Sequence, residues 1–280
     1  RRTKEDMCIN TLPPCNVNIV YTPFHSPEEL KLYLRVFHKE RNMIIKKNKR
    51  NVPDLLEHLL RIRQICINPQ LYLYGMTMKT KNDHGNWADA ITKHNKLLEA
   101  FERVPSDDKC IVFCQFVHEM TFYQDLFKNK GIRSVRLDGR MTLMERKHTI
   151  QSFEEDPCIR LFFIQIDTGG QGINLQIANH IFIMSPNWNP AVEHQAIGRA
   201  YRTGQTKPVY VTKFCISSMN ESIPFVEENI INLQNTKKKV IASILQDSRI
   251  EHDGITVEMQ SGQASLSSTD ILHLFNIYNQ

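Results

Sequence analysis

Apolar positions change their spacing along the chain near residue 87. Before it, they recur at helical intervals, as in LLEHLLRIRQIC (55–66), apart from an alternating stretch over 17–21 that predicts a short strand. After it, short apolar runs with little polar alternation are separated by helical patterns. This indicates an α/β fold, in which a parallel sheet is covered by helices on both faces. The strands predicted in this second part cover 110–116, 134–138, 160–166, 180–184 and 209–214.

Capping residues mark where several helices begin. A Ser or Thr followed three residues later by an acidic residue forms a capping box, and Glu29 and Glu145 stand at that spacing. The N-caps predicted in this way are Ser26 and Thr142, and the last helix is expected to have Thr269 or Asp270 as its cap.

The pattern divides the chain into consecutive segments. A helical module covers 25–86 and ends in a polar, glycine-flanked linker over 75–86. The α/β lobe follows over 87–218, and a long amphipathic helix covers 219–250. Residues 251–280 hold a Ser/Gly-rich linker and a short apolar helix, which we expect to dock onto the body.

Composition adds few constraints. A net charge of +5 fits nucleic acid as a partner but also fits an ordinary surface. The seven cysteines include no CxxC pair and no further Cys/His pair at zinc spacing. We therefore expect no zinc site, and free thiols in a reducing, intracellular compartment. No apolar run approaches the roughly 18 residues of a membrane span, so no membrane partner is expected.

A glycine-rich loop, DTGGQGINL, directly follows the predicted strand over 160–166. Gly169, Gly170 and Gly172 permit positive φ and leave backbone N–H groups accessible to an anion. In an open parallel sheet this loop lies at the carboxyl ends of the strands, where ligands bind. Taken alone, the loop fits either a ligand-binding loop or a plain turn.

The segment QAIGRAYRTGQ predicts a helix that carries two arginines. Gln195, Arg199 and Arg202 recur at i, i+4 and i+7, so they share one face of that helix. Arginine offers a planar fork of donors that suits phosphate oxygens, and two like charges three residues apart disfavour the helix unless an anion lies between them. The alternative is a solvated basic face. Trp188 and the Asn-Pro turn after it fix where the helix begins.

Polar and basic residues also follow two further strands. Gln115 ends the strand over 110–116, and Arg140, Thr142 and Arg146 follow the strand over 134–138. A capped helix N-terminus at Thr142 is a natural phosphate site, although the same residues fit a cap with surface charges. The basic run over 46–50 is interpreted as a solvated turn, with a phosphate contact as the alternative.

Together these segments resemble the C-terminal motor lobe of SWI/SNF-type superfamily-two helicase-like ATPases. FCQF resembles motif IV, LDGRMTLMERKHTIQSF motif IVa, and the stretch from GGQGINL to YRTGQ motifs V and VI. Residues 1–24 resemble the end of the family's first lobe, NESIPFVEENI its brace helix, and SSTDILHLFNI the docking segment of the sub-group with DNA-damage-tolerance and transcription-termination translocases. QAIGRAYRTGQ differs from the HRIGRxGR of DEAD-box proteins, which argues against an RNA helicase. The resemblance implies a RecA-like sheet and an ATP-driven translocase on double-stranded DNA.

The resemblance also implies roles for single residues. Arg199 and Arg202 correspond to arginine fingers for a γ-phosphate, with Gln195 orienting them, and Gly172 and Asn174 correspond to nucleotide contacts. Asp167-Thr168 replaces the usual Lys-Ala, so one basic DNA contact is missing. No RING insertion is present, so ubiquitin-ligase activity is not implied. The positions assigned to DNA contacts are Gln115, Arg140, Thr142, Arg146, Gly169, Gly170 and Trp188.

These 280 residues contain no GxxxxGK[ST] phosphate loop and no DExx box. ATP and Mg²⁺ are therefore expected to be held mainly by a first motor lobe outside the sequence, with no independent ATPase activity in this chain. The expected partners are double-stranded DNA, that first lobe, and chromatin or transcription proteins. The expected compartment is the nucleus, or the host nucleus for a viral family member. The alternative is a non-enzymatic DNA- or protein-binding module that docks on a separate motor.

Overall fold

A parallel sheet of six strands forms the centre of the computed structural model, which describes residues 12–46, 51–168, 172–219, 225–245 and 266–277. The strand order is β1-β6-β5-β2-β4-β3, and every neighbouring pair is parallel. The α/β prediction is confirmed, and all the predicted strands are present. The strands are β1 (Cys15–Thr22), β2 (Lys109–Cys114), β3 (Arg133–Leu137), β4 (Ile159–Gln165), β5 (Ala178–Ile183) and β6 (Val209–Ile216).

Helices cover both faces of the sheet and build the modules beside it. Within the described residues they are α1 (Pro27–Lys46), α2 (Val52–Ile67), α3 (Pro69–Thr80), α4 (Thr92–Glu102), α5 (Val117–Lys128), α6 (Leu143–Glu155), α7 (Pro190–Ile197), α8 (Val226–Leu245) and α9 (Ser268–Leu274). Alternate residues of β2 belong to two separate cores, one shared with α4 and α5 and the other with α6 and α7. None of the described helices is both long and apolar enough to cross a bilayer.

Strand β1 lies at an edge of the sheet. It pairs with β6 along its whole length, from Cys15 opposite Val209 to Thr22 opposite Ile216. Residues 15–22 therefore complete the same sheet as the strands over 109–216, although the sequence resembles the end of a first lobe at this point.

One predicted capping box is confirmed and the predicted cap of the last helix is wrong. At the first helix the Ser26 hydroxyl accepts from the Glu28 N–H, and the Glu29 carboxylate accepts from Thr92. The Thr142 hydroxyl accepts from the backbone N–H of Glu145, and the Glu145 carboxylate accepts from the backbone N–H of Thr142, which confirms that capping box. The cap of α9 was predicted wrongly: it is Ser267, and Asp270 is its reciprocal partner three residues later. The Ser267 hydroxyl reaches the N–H of Asp270, so the helix begins before the two predicted caps.

The predicted linker over 75–86 is helical in its first part, because α3 continues to Thr80. Gly75 and the polar residues after it led to the wrong boundary. Gly75 faces the Arg61 guanidinium of α2, which a larger side chain at this position would displace. Packing of α3 on α2 therefore outweighs the low helix propensity of glycine.

The helical module, the start of α8 and the C-terminal helix share one core. Tyr33 and Phe37 of α1 contact Phe225, which precedes α8, and Phe275, which follows α9. The Phe37 and Phe275 rings stack with centroids 5.8 Å apart. The last helix thus docks onto the body as predicted. Residues 47–50 of the basic run lie outside the described residues.

Candidate functional site

The loops after four of the strands meet at one edge of the sheet, because parallel strands end on the same side. Gln115 follows β2, Asp138 to Thr142 follow β3, the loop that starts at Asp167 follows β4, and Trp188 lies beyond the end of β5. Residues 169–171 lie outside the described part of the chain, so the structure does not place Gly169 or Gly170.

The loop after β3 holds its charged residues in fixed pairs. Arg140 donates to Asp138 at 2.8 Å, and this hydrogen bond holds the pKa of Asp138 below its usual value. The Arg146 Nε donates to the Met141 carbonyl at 3.0 Å. The Glu145 carboxylate already caps the N-terminus of α6 at Thr142, so a phosphate at this point competes with a negative charge.

Gln115 and Trp188 meet through a residue that sequence reasoning missed, Arg63 of α2. The fully buried Arg63 donates from Nη2 to the Gln115 Oε1 at 3.1 Å, and its guanidinium carbon lies 5.0 Å from the centroid of the Trp188 ring. A signal was present in the sequence: Arg63 falls on the apolar face of α2, between Leu59 and Cys66. A charged residue on such a face is expected to have a specific partner.

A buried ion pair lies beneath this edge. The side chains of Lys93 in α4 and Glu227 in α8 are both 0% exposed, and Nζ lies 2.7 Å from the carboxylate. Glu227 also accepts from the Ser185 hydroxyl and from the backbone N–H of Ile216, each at 2.7 Å. The start of α8 is thereby joined to the ends of β5 and β6.

Glu119 caps α5 beside Gln115 and is expected to make stability depend on pH. Burial raises its pKa from 4.5 to about 7, although the backbone N–H groups of Gln115 and Phe116 donate to it at 2.8 and 3.0 Å. The folded state holds this proton more tightly than the unfolded chain does. Its contribution to the free energy of unfolding is therefore present below pH 4.5 and is lost as the pH rises to about 7.

Glu119→Gln keeps the shape of the side chain and removes its titration. The variant is expected to become increasingly stable relative to the wild type between pH 4.5 and about 7, as measured by urea unfolding over that range. Asp125→Asn, on the exposed side of the same helix, is the matched control. A wild-type minus variant difference that stays constant across this range would contradict the prediction.

The two arginines of QAIGRAYRTGQ do not lie on a helix, which corrects the predicted shared face with Gln195. Helix α7 ends at Ile197, and Gly198 follows it. The Arg199 carbonyl accepts from the Leu175 N–H at 2.9 Å, and the Ala200 carbonyl accepts from the Gln205 side-chain amide at 3.2 Å. In a continuing helix these two carbonyls would accept from backbone N–H groups four residues later. Here they accept from Leu175 and Gln205 instead, and the chain turns.

Arg199 and Arg202 have no carboxylate partner in the described part of the chain. The Arg199 side chain is half-buried, and its Nε is buried without a hydrogen-bond acceptor there. Burial lowers the pKa of the Arg199 guanidinium, and the nearby charge of Arg202 lowers that pKa further. Arg202 is exposed. Two neighbouring cations with an unsatisfied buried donor fit an anion such as a phosphate group.

The turn that carries the arginines packs against the segment before β5. The Asn174 amide donates to the Gln176 side chain at 3.2 Å, and the Gln176 amide donates to the Arg202 and Thr203 carbonyls. Gly172 has φ +57°, the left-handed conformation that glycine permits. The structure thus brings Asn174 to the arginine turn. Within the described residues, the exposed Gln195 makes no hydrogen bond to Arg199 or Arg202.

Metal coordination has no candidate among the described residues, since nowhere there do three His, Cys, Asp or Glu side chains cluster. The candidate site is therefore an anion-binding turn beside a polar edge of the sheet.

Residues 92–204 match the protein-family model described as "Helicase conserved C-terminal domain". With the parallel sheet, this match defines the lobe as a RecA-like helicase C-terminal domain. More particularly, the chain is similar in fold and sequence to a SWI2/SNF2 ATPase core of known structure.

Curated relatives and solved structures agree with this assignment. DNA repair protein RAD5 of Cryptococcus neoformans is 36% identical over 162 residues, which are 56% of this chain and 13% of that protein. A DNA repair and recombination protein RAD54-like of Drosophila virilis is 34% identical over 200 residues, which are 71% of this chain and 24% of that protein. The chain thus matches only a small part of each relative's length.

Two solved structures share the fold. The Sulfolobus solfataricus SWI2/SNF2 ATPase core in complex with dsDNA has a TM-score of 0.65 and 27% identity, covering 89% of this chain and 50% of that one. The C-terminal part of the Fun30 ATPase domain has a TM-score of 0.62 and 21% identity, covering 79% of this chain and 90% of that one.

Proposed function

We propose that this chain acts as the second lobe of an ATP-dependent translocase on double-stranded DNA, in which Arg199 and Arg202 are the arginine fingers. The observation that carries the proposal is that neither arginine has a carboxylate partner among the described residues, where the Arg199 Nε is also buried without an acceptor. A structural arginine normally has a carboxylate or carbonyl partner. Two arginines that have no such partner among the described residues, and that are held in place by a turn, are suited to bind an anion from outside the lobe.

The residues present fit a nucleotide phosphate. Arg199 and Arg202 would bind its oxygens and neutralise the negative charge that develops during hydrolysis, and the Asn174–Gln176 contacts would keep the turn in place. ATP, once bound with Mg²⁺ by a first lobe, supplies the energy for translocation. Half-burial of Arg199 strengthens its attraction to a phosphate, because less water screens the charge.

The DNA would lie on the edge formed by the strand ends. Gln115, Trp188 and the N-terminal part of α6 are the proposed contacts in the described chain, and Gly169 and Gly170 are proposed to extend them. Arg140 would have to exchange Asp138 for a phosphate. A related ATPase core was solved with dsDNA, which supports a duplex as the substrate. The proposed DNA-contact set is Gln115, Arg140, Thr142, Arg146, Gly169, Gly170 and Trp188.

The remaining assignments follow the resemblance. The proposed boundaries are a helical module over 25–86, the RecA-like lobe over 87–218, a brace helix over 219–250 and a docking region over 251–280. The segment 1–24, which by resemblance is the tail of a first lobe, supplies the edge strand β1 of this lobe's sheet. The relatives named as DNA repair proteins support a role in repair or chromatin and a nuclear location.

The direct test is a chimera in which this chain replaces the matching half of the Sulfolobus SWI2/SNF2 ATPase core. The chain covers half of that core, so the replaced region is well defined. We expect duplex-stimulated ATP hydrolysis by the chimera and none by the 280-residue chain alone. Robust turnover by the isolated chain would overturn the proposal, as would an inactive chimera that binds ATP and DNA normally.

Arg146→Ala is expected to weaken duplex binding by this chain and to reduce the salt dependence of that binding. Loss of one arginine–phosphate contact lowers the slope of log K against log salt by about 1. Fluorescence anisotropy with a labelled duplex at several salt concentrations measures both effects. Arg133→Ala, at the start of β3 and so at the opposite edge of the sheet, is the control. An unchanged slope for Arg146→Ala would exclude it as a phosphate contact.

A further inference from the structure

Arg63 is a fully buried charge that joins the helical module to the carboxyl edge of the sheet. Besides the Gln115 side chain, its Nη2 reaches the Ser185 hydroxyl at 3.3 Å and the Pro186 carbonyl at 3.0 Å. With the Trp188 ring, its partners lie at the ends of two different strands, β2 and β5. One side chain of α2 therefore contacts two of the loops that carry proposed DNA contacts, those after β2 and β5.

The cost of this arrangement argues against a packing role. No carboxylate lies within ion-pair distance of Arg63 among the described residues, and its Nε and Nη1 are buried without acceptors there. Burying a guanidinium with unsatisfied donors is unfavourable, and an apolar side chain of similar volume would fill the space without that penalty. What an apolar side chain cannot do is orient a neighbouring amide.

The orientation of Gln115 follows from the chemistry of its partner. A guanidinium only donates hydrogen bonds, so the Gln115 carbonyl oxygen must face Arg63. Its NH₂ group then points away, and within the described chain that nitrogen has no acceptor. Without Arg63, the amide could turn over and present its oxygen outward, where it would repel a phosphate. The half-buried Trp188 is held by the same guanidinium against its ring face.

We propose that Arg63 is a positioning residue for DNA binding. It holds the Gln115 amide with its NH₂ group toward the DNA, and it fixes the plane of the Trp188 ring. The DNA-facing edge of the sheet therefore depends on the position of α2. The inference rests on the proposed function only in taking Gln115 and Trp188 as DNA contacts.

The test measures duplex binding by the 280-residue chain for Arg63→Lys, Gln115→Ala and the double variant. Lysine keeps the charge but cannot reach the same set of partners with a planar fork. We expect each single variant to bind a fluorescent duplex about tenfold more weakly. If Arg63 acts through Gln115, the double variant will lose much less than the product of the two single losses.

Two further readouts separate positioning from direct contact and from general destabilisation. Arg63 is fully buried, so Arg63→Lys is expected to leave the salt dependence of binding unchanged, unlike Arg146→Ala. Thermal unfolding is compared with Arg61→Lys, a partly buried arginine on the same helix. Arg63→Met removes the buried charge, so it is expected to fold at least as stably as Arg63→Lys and still to bind DNA weakly.

The outcomes distinguish the two proposals. If Gln115→Ala binds duplex DNA as tightly as the wild type, the proposed DNA contact is wrong. If Gln115→Ala binds weakly but Arg63→Lys and Arg63→Met bind normally, Arg63 does not position it. Losses that multiply in the double variant would overturn the positioning of Gln115, since they would show that Arg63 acts independently of it.

Discussion

Replacing Arg199 or Arg202 by alanine is expected to reduce the DNA-stimulated ATPase rate of the chimera by about 10³–10⁵-fold, which is the usual contribution of an arginine finger. This corresponds to roughly 4–7 kcal/mol of barrier. The loss is expected in kcat, because the charge that the fingers neutralise develops in the transition state. ATP hydrolysis measured with and without a duplex gives the rate directly.

The same substitutions are expected to leave the melting temperature nearly unchanged. Neither arginine has an ion pair among the described residues. Arg199→Ala removes a partly buried charge, and either substitution removes the repulsion between the two arginines. Arg133→Ala, which breaks an exposed pair with Asp156 far from the turn, is the matched control and should retain the wild-type rate. More than about half of the wild-type rate in either Arg199→Ala or Arg202→Ala would exclude the assignment.

Glu227→Gln is expected to lower the free energy of unfolding by about 3–5 kcal/mol. The substitution leaves the Lys93 ammonium fully buried, with the Met184 carbonyl as its remaining partner. It also weakens the acceptor for the Ser185 hydroxyl and the Ile216 N–H. Urea unfolding at neutral pH measures the loss, with an unchanged m-value showing that the folded state is otherwise intact.

An exposed ion pair in the same chain provides the comparison. Lys31 and Glu28 lie 2.7 Å apart with side chains 64% and 52% exposed, so Glu28→Gln is expected to change the free energy of unfolding by less than about 1 kcal/mol. Replacing both buried partners, as in Lys93→Met with Glu227→Leu, should recover part of the stability. No unpaired charge then remains, although the Ser185 hydroxyl and the Ile216 N–H lose their acceptor. A loss below about 1 kcal/mol for Glu227→Gln would show that water reaches the pair.

The strands could be predicted from the sequence because each buried run is bounded by turn residues. Both β2 and β4 are apolar almost throughout, and a strand buried on both faces leaves this local mark. The start of a capped helix could be predicted equally well, since Thr142 and Glu145 form their capping box only three residues apart.

The errors arose where distant contacts decide the outcome. Spacing alone placed Gln195, Arg199 and Arg202 on one helix face, but the chain turns after Ile197 because Leu175 and Gln205 bind the carbonyls of Arg199 and Ala200. No local pattern contains those two partners. The chemistry of the arginines was predictable from their type, and their geometry was not.

Buried charges were the other feature that the sequence did not disclose. Lys93 lies in a helix with a polar pattern and is typical of a solvated residue until the fold brings Glu227 to it. Arg63 carried a weak signal on its apolar face, but its partners come from the ends of two separate strands. Their roles depend on tertiary structure.

The pairing of β1 with β6 affects the order in which the sheet can form during synthesis. During translation β1 leaves the ribosome long before β6, the strand with which it pairs in the described sheet, because β6 is the last of the six strands along the chain. Until then both β1 and the edge of β5 that later binds β6 lack a neighbour, and unpaired strand edges promote aggregation. Closing so long a loop is entropically slow, so the outer strands are expected to join the sheet after its centre has formed. A ribosome that stalls before residue 209 would therefore release a nascent chain in which β1 and one edge of β5 are unpaired, and chaperones would be expected to bind it.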